Sequence, residues 1–386
     1  MRTAYQRELD SFVKAVSDSD FSIREVTKSA FSQARAKLNP WAFKRLNEVA
    51  VNSFYDGAPY KTWHNKRLLA VDGTRLILPK HQTIIEKFGT KFFGPKADSE
   101  RSMAIGSVLY DVKNQICIDS EIDNFEKCSE IDLLLRHINY VKEGDLLLLD
   151  RFYPSIWLFY LLNAKKIDFC IRMKTNWWVQ VDEFTNSDLT QTIVEFKLPK
   201  KDLDKLSAFP EITKQNIKCR LVKVVLENGL VEVLCTSLLD DKEYDQSEFR
   251  DLYHQRWGVE EFYKMLKCRV ELERFSGKTA RSVEQDFYAK IFLMTLCSAY
   301  AFPIDEKVKK EYEENKKVKH IQKINKTNAV SVLSNMLVNI FIRKIDYFLI
   351  YFDDIIYKTK EIIRPNRNNE RIKKPKRTYS INYKPK

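Results

Sequence analysis

The residues best suited to chemistry in this sequence of 386 residues lie in the run Tyr253-His254-Gln255-Arg256-Trp257-Gly258-Val259-Glu260-Glu261-Phe262-Tyr263-Lys264-Met265-Leu266-Lys267. Tyr253, Arg256, Glu260 and Lys267 follow one another at steps that return to one face of a helix with about 3.6 residues per turn. On a continuous helix, one stripe then carries a phenol, a guanidinium, a carboxylate and an ammonium. The same stripe also reads as an exposed salt-bridge ladder, because Arg256 and Lys264 each stand four residues from Glu260. Gly258 in mid-helix costs about 1 kcal/mol relative to Ala, and close approach of the backbone to another chain or to DNA is one explanation for it. Glu261 is the rival carboxylate. It faces about 100° away from Glu260 and is assigned to solvent or a neighbouring element.

Two further carboxylates close apolar runs: Asp72 ends Leu68-Leu69-Ala70-Val71, and Asp150 ends Leu146-Leu147-Leu148-Leu149. An Asp in that place commonly serves as a turn or helix-cap residue, but a strand end can also present a carboxylate at a crevice. Carboxylates converging from several elements suit Mg²⁺, a hard ion that takes oxygen ligands. Two such ions can clamp the attacking and leaving oxygens of a phosphodiester.

Helical spacing from Asp10 to Val51, with helix starts at Ser22 and Asn39-Pro40, makes residues 1–66 a helical N-terminal segment. It either packs on the body or forms a small DNA-end-binding unit. Strands are expected at 68–72, 75–78, 103–110 and 115–122, then a helix over 129–140, the buried strand before Asp150, a helix over 155–164 and a strand over 169–173. These make 67–173 the first part of a catalytic domain. Residues 174–231 alternate aromatic and β-branched types and read as a β-rich insertion, with Asn228-Gly229 supplying a hairpin turn between 221–225 and 231–236. Residues 232–302 complete the catalytic domain with a helix over 247–267 and another over 281–300. Residues 303–386 are helical and then a basic tail, in which 358–386 carries eleven Lys/Arg against two Glu.

The composition, 44% hydrophobic and 31% charged, suits a folded globular chain and excludes a disordered one. Net charge of +13 and an isoelectric point near 9.2 attract polyanions, nucleic acid foremost. Seven cysteines without a C-x-x-C pair indicate neither a zinc site nor a disulfide framework. The N-terminus lacks the apolar run of a secretory signal, and the apolar stretch Ile291 to Ile304 is shorter than the roughly 20 residues of a membrane span. A cytoplasmic protein without a membrane role is expected.

The pattern Tyr253, Arg256, Glu260, Lys267, with its surrounding residues, resembles the signature of DDE insertion-sequence transposases that share a Tyr-Arg-Glu-Lys motif. Val71-Asp72-Gly73-Thr74 and Leu149-Asp150-Arg151-Phe152-Tyr153 are similar to that family's two Asp motifs, and Ala30 to Leu38 is also family-like. The resemblance implies an α/β fold: an RNase H-like mixed sheet flanked by helices, interrupted by a β-rich insertion, with helical N- and C-terminal segments. It implies that Asp72, Asp150 and Glu260 hold two Mg²⁺ or Mn²⁺ ions. Tyr253, Arg256 and Lys267 would hold DNA-end phosphates near a displaced base, with Lys264 and Arg151 as further DNA contacts. Trp257 and one of Trp177 and Trp178 are candidates to stack on that base, core packing being the alternative. Double-stranded DNA, as terminal inverted repeats and target, and a second copy in a homodimer are the implied partners. Two other readings stay open: a repair or recombination nuclease without joining activity, and a DNA-binding protein that has lost catalysis.

Overall fold

The structure is a computed structural model that describes residues 5–21, 24–93, 99–206, 209, 215–226, 229–314, 320–345 and 347–363. Three helices open the chain, α1 (Tyr5–Ser17), α2 (Lys28–Lys37) and α3 (Trp41–Gly57). The second begins behind Thr27, whose side chain accepts from the Ala30 amide. Ser22, the expected start, lies outside the described residues. The third starts after Asn39-Pro40 as the sequence suggests, with the Asn39 side chain accepting from the Trp41 amide. α2 and α3 are stitched to the body: Asn47 donates to the Cys117 and Ile118 carbonyls, and Arg35 reaches Asp286 at 2.8 Å.

The strands are β1 (Leu68–Ile77), β2 (Thr90–Phe93), β3 (Ser99–Asp111), β4 (Ile116–Asn124), β5 (Leu146–Leu149), β6 (Asp168–Arg172), β7 (Gln191–Phe196), β8 (Ile217–Val225) and β9 (Val231–Thr236). All nine lie in one sheet ordered β2-β3-β1-β5-β6-β9-β8-β7, with β4 on β3. β3 runs antiparallel to β1 and β4, whereas β5 is parallel to β1 and β6 parallel to β5. The arrangement β4-β3-β1-β5-β6, with that pattern of directions, is the RNase H-like core. Intervening helices are α4 (Gln82–Phe88), α5 (Glu130–His137), α6 (Ile156–Ala164) and α7 (Val179–Asn186), followed by α8 (Phe249–His254), α9 (Trp257–Cys268), α10 (Ala280–Glu314), α11 (Lys326–Leu337) and α12 (Tyr347–Lys358).

The four leucines of β5 are wholly buried because the sheet is covered on both sides, which is why this strand is a continuous apolar run. Alternation sends Leu68, Ala70, Leu146 and Leu148 into a core shared with α9 and α10. Leu69, Val71, Leu147 and Leu149 enter the opposite core under α6. At the edge of this core Arg67 forms a two-pronged bond with Asp145, at 2.7 and 2.5 Å.

Four sequence expectations change. The stretch 68–78 is one strand through Gly73, not two. Segment 174–231 opens with a helix, α7, and its strands continue the central sheet, since β9 pairs with β6 and β8 with β9. Gly229 has the positive φ of +78° that a hairpin turn needs, while Asn228 lies outside the described residues. The helix expected over 247–267 is broken at Gln255-Arg256 into α8 and α9. The helix expected to end near 300 runs on through Pro303 to Glu314. By length and composition α10 could cross a bilayer, yet half of its apolar window is buried inside the protein. The basic tail from 364 onward lies outside the described residues.

Candidate active site

Parallel pairing of β1 with β5 ends at Ala70 opposite Leu148. β5 ends one residue later, at Leu149, and Asp150 follows it, while β1 continues through Asp72; the carboxylates are near enough for Asp150 and Glu260 both to act on Asp72. Adjacent strands lie about 4.8 Å apart, and β5 has ended there, so both carboxylates stand at a gap at its C-terminal end. Asp72, within β1, accepts from the Gly73 amide at 2.9 Å, and Asp150, in the loop after β5, from the Phe152 amide at 2.8 Å.

Above them lies α9, fixed to β1 by two bonds. The Tyr263 hydroxyl donates to the Asp72 carbonyl at 2.8 Å, and the Lys267 ammonium donates to the Arg75 carbonyl at 2.7 Å. Glu260, on the first turns of α9, meets Arg256 at 2.6 Å. The Arg256 side chain is nearly buried, and its Nε has no partner. Burial pushes the Asp72 carboxyl up to about 7, opposed by Arg256 and assisted by Glu130, Asp150 and Glu260. Burial also raises Asp150, opposed by the Phe152 amide, Arg256 and Arg151 and assisted by Glu260.

The break before α9 alters the expected stripe. Tyr253 belongs to α8, is 5% exposed, and donates its hydroxyl to the Leu149 carbonyl at 3.2 Å. As it stands it braces β5 and cannot meet a phosphate. Lys267 is likewise engaged with a backbone carbonyl, and burial lowers its pKa. Gly258 falls in the first turn of α9 and faces Val112 at ordinary contact distance, so neither a mid-helix defect nor a tight approach explains it. Glu261 faces solvent beside Lys264, at 3.4 Å.

Around the carboxylates several aromatics are exposed. Trp257 is 47% exposed, with the Arg256 guanidinium 5.6 Å from its ring. The Lys174 ammonium lies 4.4 Å from Trp177 and 5.3 Å from Phe152, and Arg151 lies 5.9 Å from the latter. Of the adjacent tryptophans, Trp178 packs on Phe159 and Phe196, whereas Trp177 is half exposed.

Behind Asp72 lies a buried chain that sequence inspection missed. The His137 ring stands 2.7 Å from Asp119 and 3.0 Å from the Ser107 oxygen. Ser107 in turn contacts the Asp72 carbonyl at 3.2 Å. The arrangement looks like a hydrolase triad, but Ser107 and His137 are wholly buried, so no substrate can reach them. It holds β1, β4 and α5 together beneath the candidate site.

Among the described residues, no three His, Cys, Asp or Glu side chains stand close enough to hold a metal ion as they are. The donors at Asp72, Asp150 and Glu260 nevertheless fit a hard divalent cation: all are carboxylates, two are held above their normal pKa, and the third is occupied by Arg256. Arg256 bonds Oε1 of Glu260, which leaves the second oxygen of that carboxylate to complete such a set.

A raised folded-state pKa means that the native protein binds this proton more tightly than the unfolded chain. Without divalent metal, stability is therefore expected to fall as pH rises from about 4 to about 7. Thermal melts in a chelator across that range check this. A melting temperature that climbs throughout would show that other carboxylates outweigh Asp72.

Residues 63–296, more than half of the chain, match the model of the family described as Transposase DDE domain. The chain is 24% identical over 291 residues to the transposase InsG for insertion sequence element IS4 of Escherichia coli (strain K12), covering 70% of this chain and 60% of that protein. It thus spans about three fifths of the length of this relative. It is also similar to the piggyBac transposase in a cryo-EM synaptic complex with hairpin DNA, at 14% identity and a TM-score of 0.43, over 81% of this chain and 62% of the other. With the match to the family model covering both candidate aspartates and the candidate glutamate, the chain belongs to the DDE transposase domain family.

Proposed function

We propose that the protein is an insertion-sequence transposase of the Tyr-Arg-Glu-Lys group, which cleaves DNA at the inverted repeats bounding its element and joins the freed ends to target DNA. The observation that carries this reading is that Asp72, on β1, and Asp150, just past the end of the neighbouring β5, lie beside the helix that bears Glu260 and bonds to the Asp72 carbonyl, in a chain of this family. These three carboxylates would hold two Mg²⁺ or Mn²⁺ ions, which when bound would supply activation of water and of a freed 3′ hydroxyl for attack on phosphorus.

The protein's own part is positioning. Arg256 pairs with Glu260; were that carboxylate drawn to an ion, the guanidinium would be free to take a DNA phosphate. Tyr253, Tyr263 and Lys267 hold β5 and α9 in register. Arg151, Lys174 and Lys264 supply exposed positive charge for the backbone. Trp257 and Trp177 offer ring faces to an unpaired base. A Trp177→Ala variant is expected to weaken binding of an end carrying one unpaired base by about 1–3 kcal/mol. Duplex binding should change little, and equal losses on both substrates in a gel-shift titration would place Trp177 in general packing.

The test of function supplies an element end with a 3′ hydroxyl, a target plasmid and Mg²⁺. Joined products, formed by a dimer across two ends, are the expected result. Cleavage with no joining would support the nuclease reading.

A further inference from the structure

Glu130 carries no motif, yet its carboxyl group lies against β1 beside Asp72. It is the first residue of α5, behind the Ser129 cap. A Cβ placed on Gly73 would lie 2.5 Å from Glu130 Cδ and 2.7 Å from its Oε1, so the carboxylate occupies the space where a side chain at position 73 would be. Gly73 has ordinary backbone angles, since it is not among the positive-φ glycines; its lack of a side chain serves this approach rather than a turn. From there Glu130 acts on both Asp72 and Asp150.

A second group is aimed at the same place. Tyr153 is 1% exposed, and its hydroxyl completes no hydrogen bond of good geometry. Glu130, Asp72 and Asp150 are the charges that act on it, and Glu130 is the group its hydroxyl approaches. The buried phenol thus stands beside Glu130, under the influence of the two aspartates, with no other polar partner among the described residues.

We propose that Glu130, whose carboxyl fills the space left by Gly73, is a fourth carboxylate for the ion that Asp72 and Asp150 would hold; the described side chains do not yet stand close enough to share an ion, so the set would close as the ion binds. The proposal rests on the metal-dependent reading given above. Its role is to raise affinity for that ion and to orient the ion's water through Tyr153. A helix N-terminus also favours a carboxylate, and this alternative differs in sign. If Glu130 only complemented the end of α5, Glu130→Gln would lower the melting temperature of the metal-free protein and leave metal affinity alone. As a fourth acid crowded against Asp72, its neutralisation raises the metal-free melting temperature and weakens the metal.

The experiment measures Mn²⁺ binding to the full chain without DNA, by the loss of the free-ion magnetic resonance signal, and melting temperature with and without Mn²⁺. Glu130→Gln keeps the shape over Gly73 and is expected to weaken Mn²⁺ about 10- to 100-fold. Gly73→Ala displaces Glu130 while retaining every carboxylate, and is expected to act in the same direction. Unchanged Mn²⁺ affinity in both variants, with Asp72→Asn weakened, would overturn the role of Glu130 alone. If Asp72→Asn also bound Mn²⁺ normally, the metal-dependent reading itself would fall.

Discussion

Asp72→Asn, Asp150→Asn and Glu260→Gln are each expected to reduce divalent-dependent strand cleavage by about 10³-fold or more. Binding to the element's ends should survive, because the phosphate contacts proposed above are assigned to Lys and Arg elsewhere. The three losses should not multiply when combined, since the carboxylates act as a unit. The amide variants keep size and backbone hydrogen bonding, so Asp72 still accepts from Gly73 and Asp150 from Phe152. Glu260→Gln is informative in a further way. It removes the ion pair with Arg256, which is buried and already has one unpaired nitrogen. That variant is therefore expected to bind DNA slightly more tightly than the parent while cleaving it far more slowly. Retained cleavage in all three variants, measured on an end-labelled duplex, would remove the basis of the proposed mechanism.

The second large effect is on stability. His137→Ala is expected to destabilise the protein by about 3 kcal/mol, because it leaves the buried Asp119 carboxylate short of a partner and the Ser107 hydroxyl without support. Lys44 remains 3.3 Å from Asp119 and limits the loss. Because Ser107 touches the carbonyl of Asp72, activity at temperatures where the variant is folded should also fall. Denaturant unfolding of parent and variant measures the first part, and a difference below about 1 kcal/mol would mean that water takes the place of the ring.

Much of this was legible in the chain because single features dictate it. Four consecutive leucines before Asp150 suit a short strand covered on both faces, and the runs 103–110 and 115–122 about a short turn anticipate β3 and β4. The place of Asp150 just past β5 follows from its run, whereas Asp72, expected to close a strand, lies inside β1, which continues to Ile77. What could not be read depends on partners distant in sequence. Nothing in 191–236 states that its strands will add to β6, because period-two alternation specifies a face and not a neighbour. The break at Gln255-Arg256 needs only a tight turn that helical spacing does not register, and it moves Tyr253 off the Glu260 helix. Pro303 suggested an end to α10, but a proline removes only one hydrogen bond and its cost can be met by packing on both sides. Glu130 was invisible for a different reason: its placement depends on an atom that Gly73 lacks.

That β7, β8 and β9 prolong the same sheet as β1 and β5 has a consequence for how such a protein can change. A segment joined by a linker can be traded between relatives or trimmed away, and what remains still closes on itself. Here, excising 174–236 would strip β6 of its neighbour and leave an open row of amides and carbonyls beside Asp150, an invitation to pair with other chains. Trp177, in the turn after β6, and Asp150, just past β5, are thus both carried by neighbouring strands of one sheet rather than by two bodies on a hinge. Variation among relatives should collect in the connections between these strands, while the sheet itself is inherited whole.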